Sequence, residues 1–221
     1  MTSFPGSPRT LRGAIVLIDP GTGILPNPKV IALQYNPDSI SRTFQIKSTA
    51  TEGGDHSEAL RLKGPPVESI KLEAEIDATD QLEFPDKNPT TTQFGIFPYL
   101  SALETLVYPT SRQLSLNNSL MGQGILEIVP METPLALFVW SKSRVVPVRI
   151  TDLSITEEAF DVALNPIRAK ISLGMRVLSV DDLGFTHKGG NIFMSYLQRK
   201  EQLANSFTYG SAASIGLGVI P

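Results

Sequence analysis

The polar loop at residues 53–58, Gly-Gly-Asp-His-Ser-Glu, holds the three residue types of a hydrolytic triad in one short stretch. His56 would be the base of such a triad, with Asp55 and Ser57 on either side of it. A triad needs a fixed geometry between nucleophile, base and carboxylate, and neighbours within one loop rarely provide it. We therefore rank a hydrolase third among the alternative functions.

Few residues are available for metal or cofactor binding. The chain has no cysteine and two histidines, which excludes a disulfide scaffold, a thiol nucleophile and a thiolate metal site. His187 has no second histidine near it in sequence, and we interpret it as a solvated turn residue. The glycine turns at residues 21–23 and 122–124 lack the full spacing of a phosphate loop. We predict a protein that is not an enzyme and has no catalytic residue, metal or cofactor.

Composition narrows the class of protein and of partner. The 221 residues are 41% hydrophobic, enough to bury one full core, so we expect one domain with accessory pieces. The formal net charge of -3 argues against a nucleic-acid partner, which would require a basic surface. No run of 18 apolar residues occurs, and the N-terminus lacks the pattern of a secretory signal. We expect folding in the cytoplasm and no direct membrane insertion.

Strands dominate the predicted secondary structure. Strand patterns cover residues 11–18, 29–35, 39–47, 67–77, 134–140, 145–160 and 167–180. A corner at residues 35–37 separates the second pattern from the third, and we predict that these two strands form a hairpin. Within residues 145–160 the apolar parity changes near Thr151 and Asp152, which indicates a β-bulge and a strongly curved or closed sheet.

Two helices interrupt the strands. Apolar residues recur at helical spacing from Phe97 to Val107, and Pro109 ends the run. A second helix is predicted at residues 191–205. Residues 49–63 read as a polar loop and residues 110–131 as an exposed excursion with weak patterning.

Charged residues are concentrated on the outward positions of two strands. Arg168, Lys170 and Arg176 project from one strand, and Glu73, Glu75 and Asp77 project from another. One interpretation is a solvated face whose charges pair across strands, and the other is complementary charge between subunits of a ring. Trp140 has two interpretations as well, a core residue or an interface anchor.

The order of these pieces resembles a known family. The series runs from "QYNP" through an amphiphilic strand, a helix ending in "LVYP", "PLALFVW", and "RVVPVRITDLSITEEAFDVALNPIRAKISLGMRVLS" to a final helix. It resembles the tube-type proteins of contractile injection systems, which are phage-tail-like particles, and is most similar to their LysM-bearing tube-adaptor and baseplate family. The resemblance covers about residues 11–201. "ITEEAFDVALNPIRAKISL" is its most specific part.

The resemblance implies a fold and an assembly. The fold is mainly β, a tail-tube-like barrel of two roughly orthogonal sheets with a flanking helix, over residues 1–181 with 49–63 and 110–131 inserted. Residues 182–221 form a C-terminal helix and a flexible tail. Six copies form a ring at the baseplate, with the inner tube protein, the spike protein and baseplate wedge proteins as partners. The candidate subunit-interface or lumen residues are Tyr35, Asn36, Pro37, Phe160, Asn165, Pro166, Arg168, Lys170 and Arg176.

The chain departs from the family in one respect. Relatives often carry a LysM module after the tube domain, and here "GSAASIGLGVIP" leaves no room for one, so peptidoglycan binding is not expected. Within the same class the alternative is a phage tail-tube or tube-initiator subunit. From another class, a small-ligand-binding β-barrel would need a roomy apolar interior. The expected location is the cytoplasm during assembly, then a particle that is either released or membrane-anchored.

Overall fold

The computed structural model describes residues 11–18, 29–48, 61–122 and 134–210. The strands are β1 (Ala14–Ile18), β2 (Lys29–Ala32), β3 (Ile40–Gln45), β4 (Val67–Asp77), β5 (Leu135–Ser141), β6 (Arg144–Phe160) and β7 (Pro166–Val177). The helices are α1 (Thr79–Leu82), α2 (Pro89–Phe94), α3 (Phe97–Glu104), α4 (Ser111–Gly122), α5 (Val180–Leu183) and α6 (Lys188–Asn205). The mainly-β class is confirmed, and α3 and α6 correspond to the two predicted helices.

All seven strands belong to one antiparallel sheet, in the order β2-β1-β5-β6-β7-β4-β3. The long strand β6 joins its two halves, because residues 144–148 pair with β5 and residues 148–160 pair with β7. The register of β6 against β7 shifts between Ile150 and Asp152, which confirms the predicted bulge. A bulge bends its strand and increases the local twist, so one strand can serve both halves. The two sheets expected from the resemblance are therefore one continuous sheet.

The predicted hairpin of residues 29–35 and 39–47 is wrong. β2 pairs with β1 and β3 pairs with β4, so the two strands lie at opposite ends of the strand order. Local alternation of apolar and polar residues predicts a strand but does not identify the strand's partner. Residues 33–39 connect the two ends, and no ladder joins β2 to β3, so the barrel expected from the resemblance is not closed.

Two amide side chains hold this connection in place. The Gln34 side chain accepts a hydrogen bond from the Asp77 backbone N–H (3.0 Å) and donates one to the Asp77 carbonyl (2.6 Å), as a neighbouring strand would. The Asn36 side chain accepts from the Gly13 N–H (2.9 Å) and donates to the Leu11 carbonyl (2.8 Å). Gln34 therefore pairs the end of β4, and Asn36 pairs the backbone beside β1. We call residues 33–39, held by these bonds, the seam.

Helix α3 packs beside the seam, against β2, β4 and β7. Ile96, Leu100 and Leu103 pack in one buried cluster with Ile31 of β2, Ile76 of β4 and Ile171 of β7. The Tyr99 hydroxyl donates to the Ala32 carbonyl (2.6 Å), and burial raises the pKa of Tyr99 to about 12. The rest of the interior is filled by a larger cluster that includes Ile15, Ile70, Leu72, Phe138, Val146, Leu173, Met175, Phe193 and Tyr196.

The predicted excursion at residues 110–131 is partly helical. Residues 111–122 form α4, which has no buried residue, so its exposure agrees with the prediction whereas its regular structure does not. Its weak amphipathic pattern follows from that exposure, because a helix without a packed face needs no apolar stripe. Residues 49–60, including His56, and residues 123–131 and 211–221 lie outside the described residues.

We predict that Gln34→Leu destabilises the fold. The change leaves the partly buried N–H and carbonyl of Asp77 without their side-chain partner, which costs roughly 1 kcal/mol. Urea unfolding of the variant should show a lower midpoint with an unchanged slope. Gln45→Leu, the same change at an exposed position of β3, is the control and should stay within about 0.5 kcal/mol of the wild type. Equal midpoints for the two variants would contradict the role of Gln34 in holding the seam to β4.

Candidate assembly surfaces

Four strands form the part of the sheet that carries most of the predicted site residues. We define the four-stranded half as β3, β4, β7 and residues 149–160 of β6. One face of it packs on the core, and the other, which we call the polar face, takes the alternate positions of every strand. The charged residues of the polar face are Lys71, Glu73, Glu75, Asp77, Arg149, Asp152, Glu158, Arg168, Lys170 and Arg176. Five are basic and five acidic, so their formal charges cancel.

Several of these charges pair within the chain. Arg168 contacts Asp77 on β4 (2.7 Å), and Lys170 contacts Glu158 on β6 (3.1 Å). Arg176 contacts Asp182 in α5 (2.6 Å). Arg168 and Lys170 therefore pair across strands, whereas Arg176 pairs with a helix. Ion pairs as exposed as the first two are screened by solvent and contribute little to stability.

Asp77 links the polar face to the helical side of the barrel. Burial alone would raise the pKa of Asp77, but hydrogen bonds from the Thr79 hydroxyl and backbone N–H and from Arg168 outweigh it. The pKa of Asp77 is therefore lowered. Its backbone is also the partner of Gln34, so this residue belongs both to the seam and to the polar face.

The four-stranded half has two edges that carry no strand within the described ranges. Beyond Val148, β6 has β7 on one side and no described strand on the other, which leaves residues 149–160 as one edge. β3 pairs only with β4 and forms the second edge, residues 40–45. Since all four strands alternate in direction, the two edges run in opposite directions. Unpaired edges of this kind are templates for strand addition from another chain.

The β6–β7 hairpin ends in an apolar tip. Phe160, Val162 and Leu164 are all exposed, by 50%, 107% and 79%. The Asp161 carboxylate accepts hydrogen bonds from the backbone N–H groups of Ala163 (2.7 Å) and Asn165 (2.8 Å). We call residues 160–164 the tip. Its apolar side chains are therefore presented on a hydrogen-bonded turn.

The base of this hairpin is fixed to the helical layer. The Asn165 side chain donates to Asp161 (2.8 Å), and this bond with the backbone bonds lowers the pKa of Asp161. Pro166 is fully buried, and its carbonyl accepts from the Ile96 N–H (2.9 Å). Gly95, with φ +58°, lies so close that a Cβ there would be 2.2 Å from the Pro166 oxygen. A side chain at this position is excluded, and the tip keeps a defined direction.

The structure divides the predicted site residues into four places. Tyr35, Pro37 and Lys170 line a shallow polar groove of 630 Å³ on the polar face, next to Glu75 and Ser172. Asn36 also reaches this groove while its amide pairs backbone at the seam. Arg168 lies at the adjoining groove with Tyr35. Phe160, Asn165 and Pro166 form the tip and its base, and Arg176 lies apart, beside α5.

Sequence reasoning missed a charged cluster that ties the β3 edge to α6. Glu68 is 4% exposed and accepts from Arg42 Nε (2.8 Å) and Nη2 (2.6 Å) and from Lys200 Nζ (3.1 Å). Arg42 also donates to the Tyr196 hydroxyl (2.9 Å). Glu68 has the same parity as Ile70 and the buried positions that follow it. A carboxylate at a strand position that points into the core was the signal that could have identified this cluster, because a buried charge requires partners.

The described residues show no group of three or more histidine, aspartate or glutamate side chains arranged to hold a metal ion. His187, predicted as a solvated turn residue, instead begins α6, where its Nδ1 accepts from the Gly189 N–H (3.1 Å). Among the described helices, none has the length and hydrophobicity needed to cross a bilayer.

Three solved structures with similarity to this chain are tail or baseplate components of phage-like particles. The first is the tail of an empty gene transfer agent particle with C6 symmetry, with 13% identity over 75% of this chain and 90% of that chain, at a TM-score of 0.30. The second is the virion of a native gene transfer agent particle (12% identity, 74% and 90% coverage, TM-score 0.28). The third is the six-fold symmetrised baseplate of the anti-feeding prophage (16% identity, 80% and 94% coverage, TM-score 0.24).

No protein-family model and no curated protein matches the sequence. TM-scores this low do not establish a common function, so the functional assignment depends on the geometry of this chain.

We predict that Asp77 contributes stability that depends on pH. Because its pKa in the folded state is lowered, this contribution is present above the unfolded pKa of about 4 and is lost as pH falls through the folded value. Asp77→Asn should therefore be less stable than the wild type at pH 7 and should lose less stability on acidification. Thr79→Val, which removes one donor, should show an intermediate slope. Identical slopes of unfolding free energy against pH for wild type and Asp77→Asn would contradict this role.

Proposed function

We propose that this protein is a structural, non-enzymatic component of a contractile injection system. In this role it forms a hexameric ring at the baseplate, links the spike to the inner tube and initiates tube assembly. The observation that carries the proposal is the four-stranded half with two open edges of opposite direction. The family resemblance of the sequence supports it independently.

The two edges suit a ring. When the β3 edge of one copy meets the β6 edge of the next, the strands are antiparallel and all copies point the same way, because the half contains an even number of strands. Such head-to-tail contacts close by rotation, and closure pairs every edge so that growth stops. A half with three strands would present parallel edges and could not continue the same antiparallel pattern.

The size of the ring and the character of its lining follow from the same strands. Six copies would give about 24 strands, and a barrel of that size with ordinary strand spacing and tilt is roughly 50 Å across. The core face is covered by α3 and α6, so the polar face lines the channel. The formal charges of that face cancel. Its positions on β4 (69–77) and on β7 (168–176) contain no large apolar side chain. A lining of this kind suits passage of a tube's contents.

The tips give the ring a second contact surface. Strands in a barrel run at roughly 35–45° to its axis, so a hairpin that extends along β6 and β7 reaches one rim. Six copies would place six apolar tips on that rim. We propose that they contact the adjacent ring of the inner tube or the spike. Self-stacking distinguishes the alternatives. A tail-tube subunit should stack on itself repeatedly, whereas an adaptor should stop at one ring.

A small-ligand barrel has no support in the described residues. Ile70 and Val146 are completely buried, and Phe138 is 1% exposed, so the interior is filled by side chains. The polar groove at residues 35–39 lies on the surface. A ligand barrel would need an open apolar interior instead.

Cysteine cross-linking should detect the ring contact directly, because the chain has no native cysteine. Thr43→Cys on β3 is combined in turn with Ser154→Cys, Thr156→Cys or Glu158→Cys on β6, all on the polar face. The register between copies selects one of the three, since a disulfide requires Cα atoms within about 7 Å. We expect that pair to form covalent species of two to six chains on a non-reducing gel.

The matched control combines Thr43→Cys with Ala163→Cys, in the turn beyond the last residue of the β6 edge, and should run as a single chain on the gel. Negative-stain electron microscopy of the wild type, alone and with its genomic neighbours, provides the second measurement. Absence of covalent oligomers for all three pairs, together with monomers in the micrographs, would refute the proposed ring.

The tip should bind the tube or spike protein and should not be needed for ring formation. We predict that Val162→Ser with Leu164→Ser leaves the ring intact and reduces binding to the tube or spike protein by about tenfold or more, because exposed apolar anchors are removed. Leu114→Ser in α4, an apolar residue that is 51% exposed and lies outside the tip, is the control. Co-sedimentation with the partner proteins measures binding. A loss of rings, or unchanged binding, would contradict this role.

A further inference from the structure

Helix α6 crosses the sheet from β5 to β3. At its start Gly189 lies against Leu135 of β5, where a Cβ would be 3.0 Å from the leucine side chain. Farther along, Phe193 and Tyr196 pack in the main core cluster. Lys200 then contacts Glu68 of β4 (3.1 Å) and lies 5.4 Å from the ring centroid of Phe44 on β3. The helix therefore reaches the open edge at Lys200.

Residues 201–210, which we call the arm, continue beyond that edge. Every one of them is exposed. The arm carries Leu203, Phe207 and Tyr209, which are 48%, 65% and 72% exposed, and the two aromatic rings contact each other edge to face at 5.2 Å. A helix advances about 1.5 Å per residue, so Leu203 lies roughly one strand spacing past Lys200. In the proposed ring, that space belongs to the next copy.

An apolar groove lies at the other edge of the same half. It has a volume of 410 Å³ and is lined by Leu106, Val107, Leu135, Val148 and Ile150, with His187 at its margin. Val148 is the last residue of β6 that pairs with β5, so the groove lies where the β6 edge begins to open. Each chain thus has an exposed apolar arm beside one edge and an apolar groove beside the other.

The sheet register places the arm and the groove in one row. Val148 is paired with Val177, and Phe44 is paired with Glu68. Ser69 is paired with Arg176, so Glu68 is level with Val177 and the row runs Val148, Val177, Glu68, Phe44. α6 follows this row, because Tyr196 and Lys200 contact Glu68. Continued across the β3 edge, the row enters the second copy on the side where its β6 edge and groove lie, at a level set by the register between copies.

We infer that the arm of each copy packs into the groove of the next copy of this chain. The inference rests on the proposed ring and names a contact on the core side of the sheet, separate from the strand edges. The helices α6 would then follow one another head to tail around the ring. Apolar side chains that are exposed in a single copy become buried on assembly, so the arm should strengthen the ring without affecting the folding of one chain.

The first test replaces apolar arm residues by charge. Leu203→Glu with Phe207→Glu should raise the protein concentration at half assembly by about tenfold or more, measured by mass photometry. The urea midpoint of the monomer should not change, because both side chains are exposed there. Leu116→Glu in α4, at 58% exposure, is the matched control and should assemble as the wild type does.

The second test identifies the groove as the partner. Leu203→Cys with Val107→Cys, treated with a short bismaleimide, should give linked chains up to six, whereas Leu203→Cys with Leu164→Cys should not. Wild-type rings with unchanged assembly of the charged variant and no linked chains would overturn the arm contact and leave the ring in place. If the wild type forms no ring and the Thr43→Cys pairs fail as well, the proposed function itself is wrong and the arm contact fails with it.

Discussion

The structure depends on one constraint, that backbone hydrogen-bonding groups at the ends of a curled sheet need partners. The sheet does not close by a ladder between β2 and β3. Instead the Gln34 amide pairs both backbone groups of Asp77, and Asn36 pairs the backbone at Leu11 and Gly13. These bonds hold residues 33–39 in position, and Tyr99 of α3 donates to Ala32 just before them. The core is packed around that arrangement.

The same constraint explains where the chain stays open. β6 is longer than β5 can cover, because its bulge turns residues 149–160 away from β5 and toward β7 alone. β3 is held firmly by Arg42, Glu68 and Lys200, yet it keeps one unpaired side. Within the described residues, side chains hold the seam while two strand edges stay unpaired, which agrees with the proposed separation of folding from association. In the proposed ring, the tip would extend to the rim and the arm to the core side of the next copy.

The sequence predicted local structure well and long-range pairing poorly. The parity of β4 and β7, the bulge near Thr151 and the helices α3 and α6 follow from short-range periodicity, which is visible in a single sequence. The partner of β2 cannot be read from periodicity, and the predicted hairpin with the next strand in sequence was wrong. Gln34 was missed because its partner is 43 residues away. Glu68 was detectable from its core parity, whereas the exposed Val162 and Leu164 offered no pattern. The residues proposed for subunit contacts or the lumen remain predictions.

In the proposed ring, the equal numbers of acidic and basic side chains on the polar face would have a consequence for transport. A surface with alternating charge has a potential that decays within a few ångströms and leaves little field along the centre of a wide channel. Cargo of either sign would then experience neither attraction that retains it nor repulsion that excludes it. Its passage would also change little with ionic strength. Selection of cargo would have to occur elsewhere in such a particle, when the tube is filled and not when its contents leave.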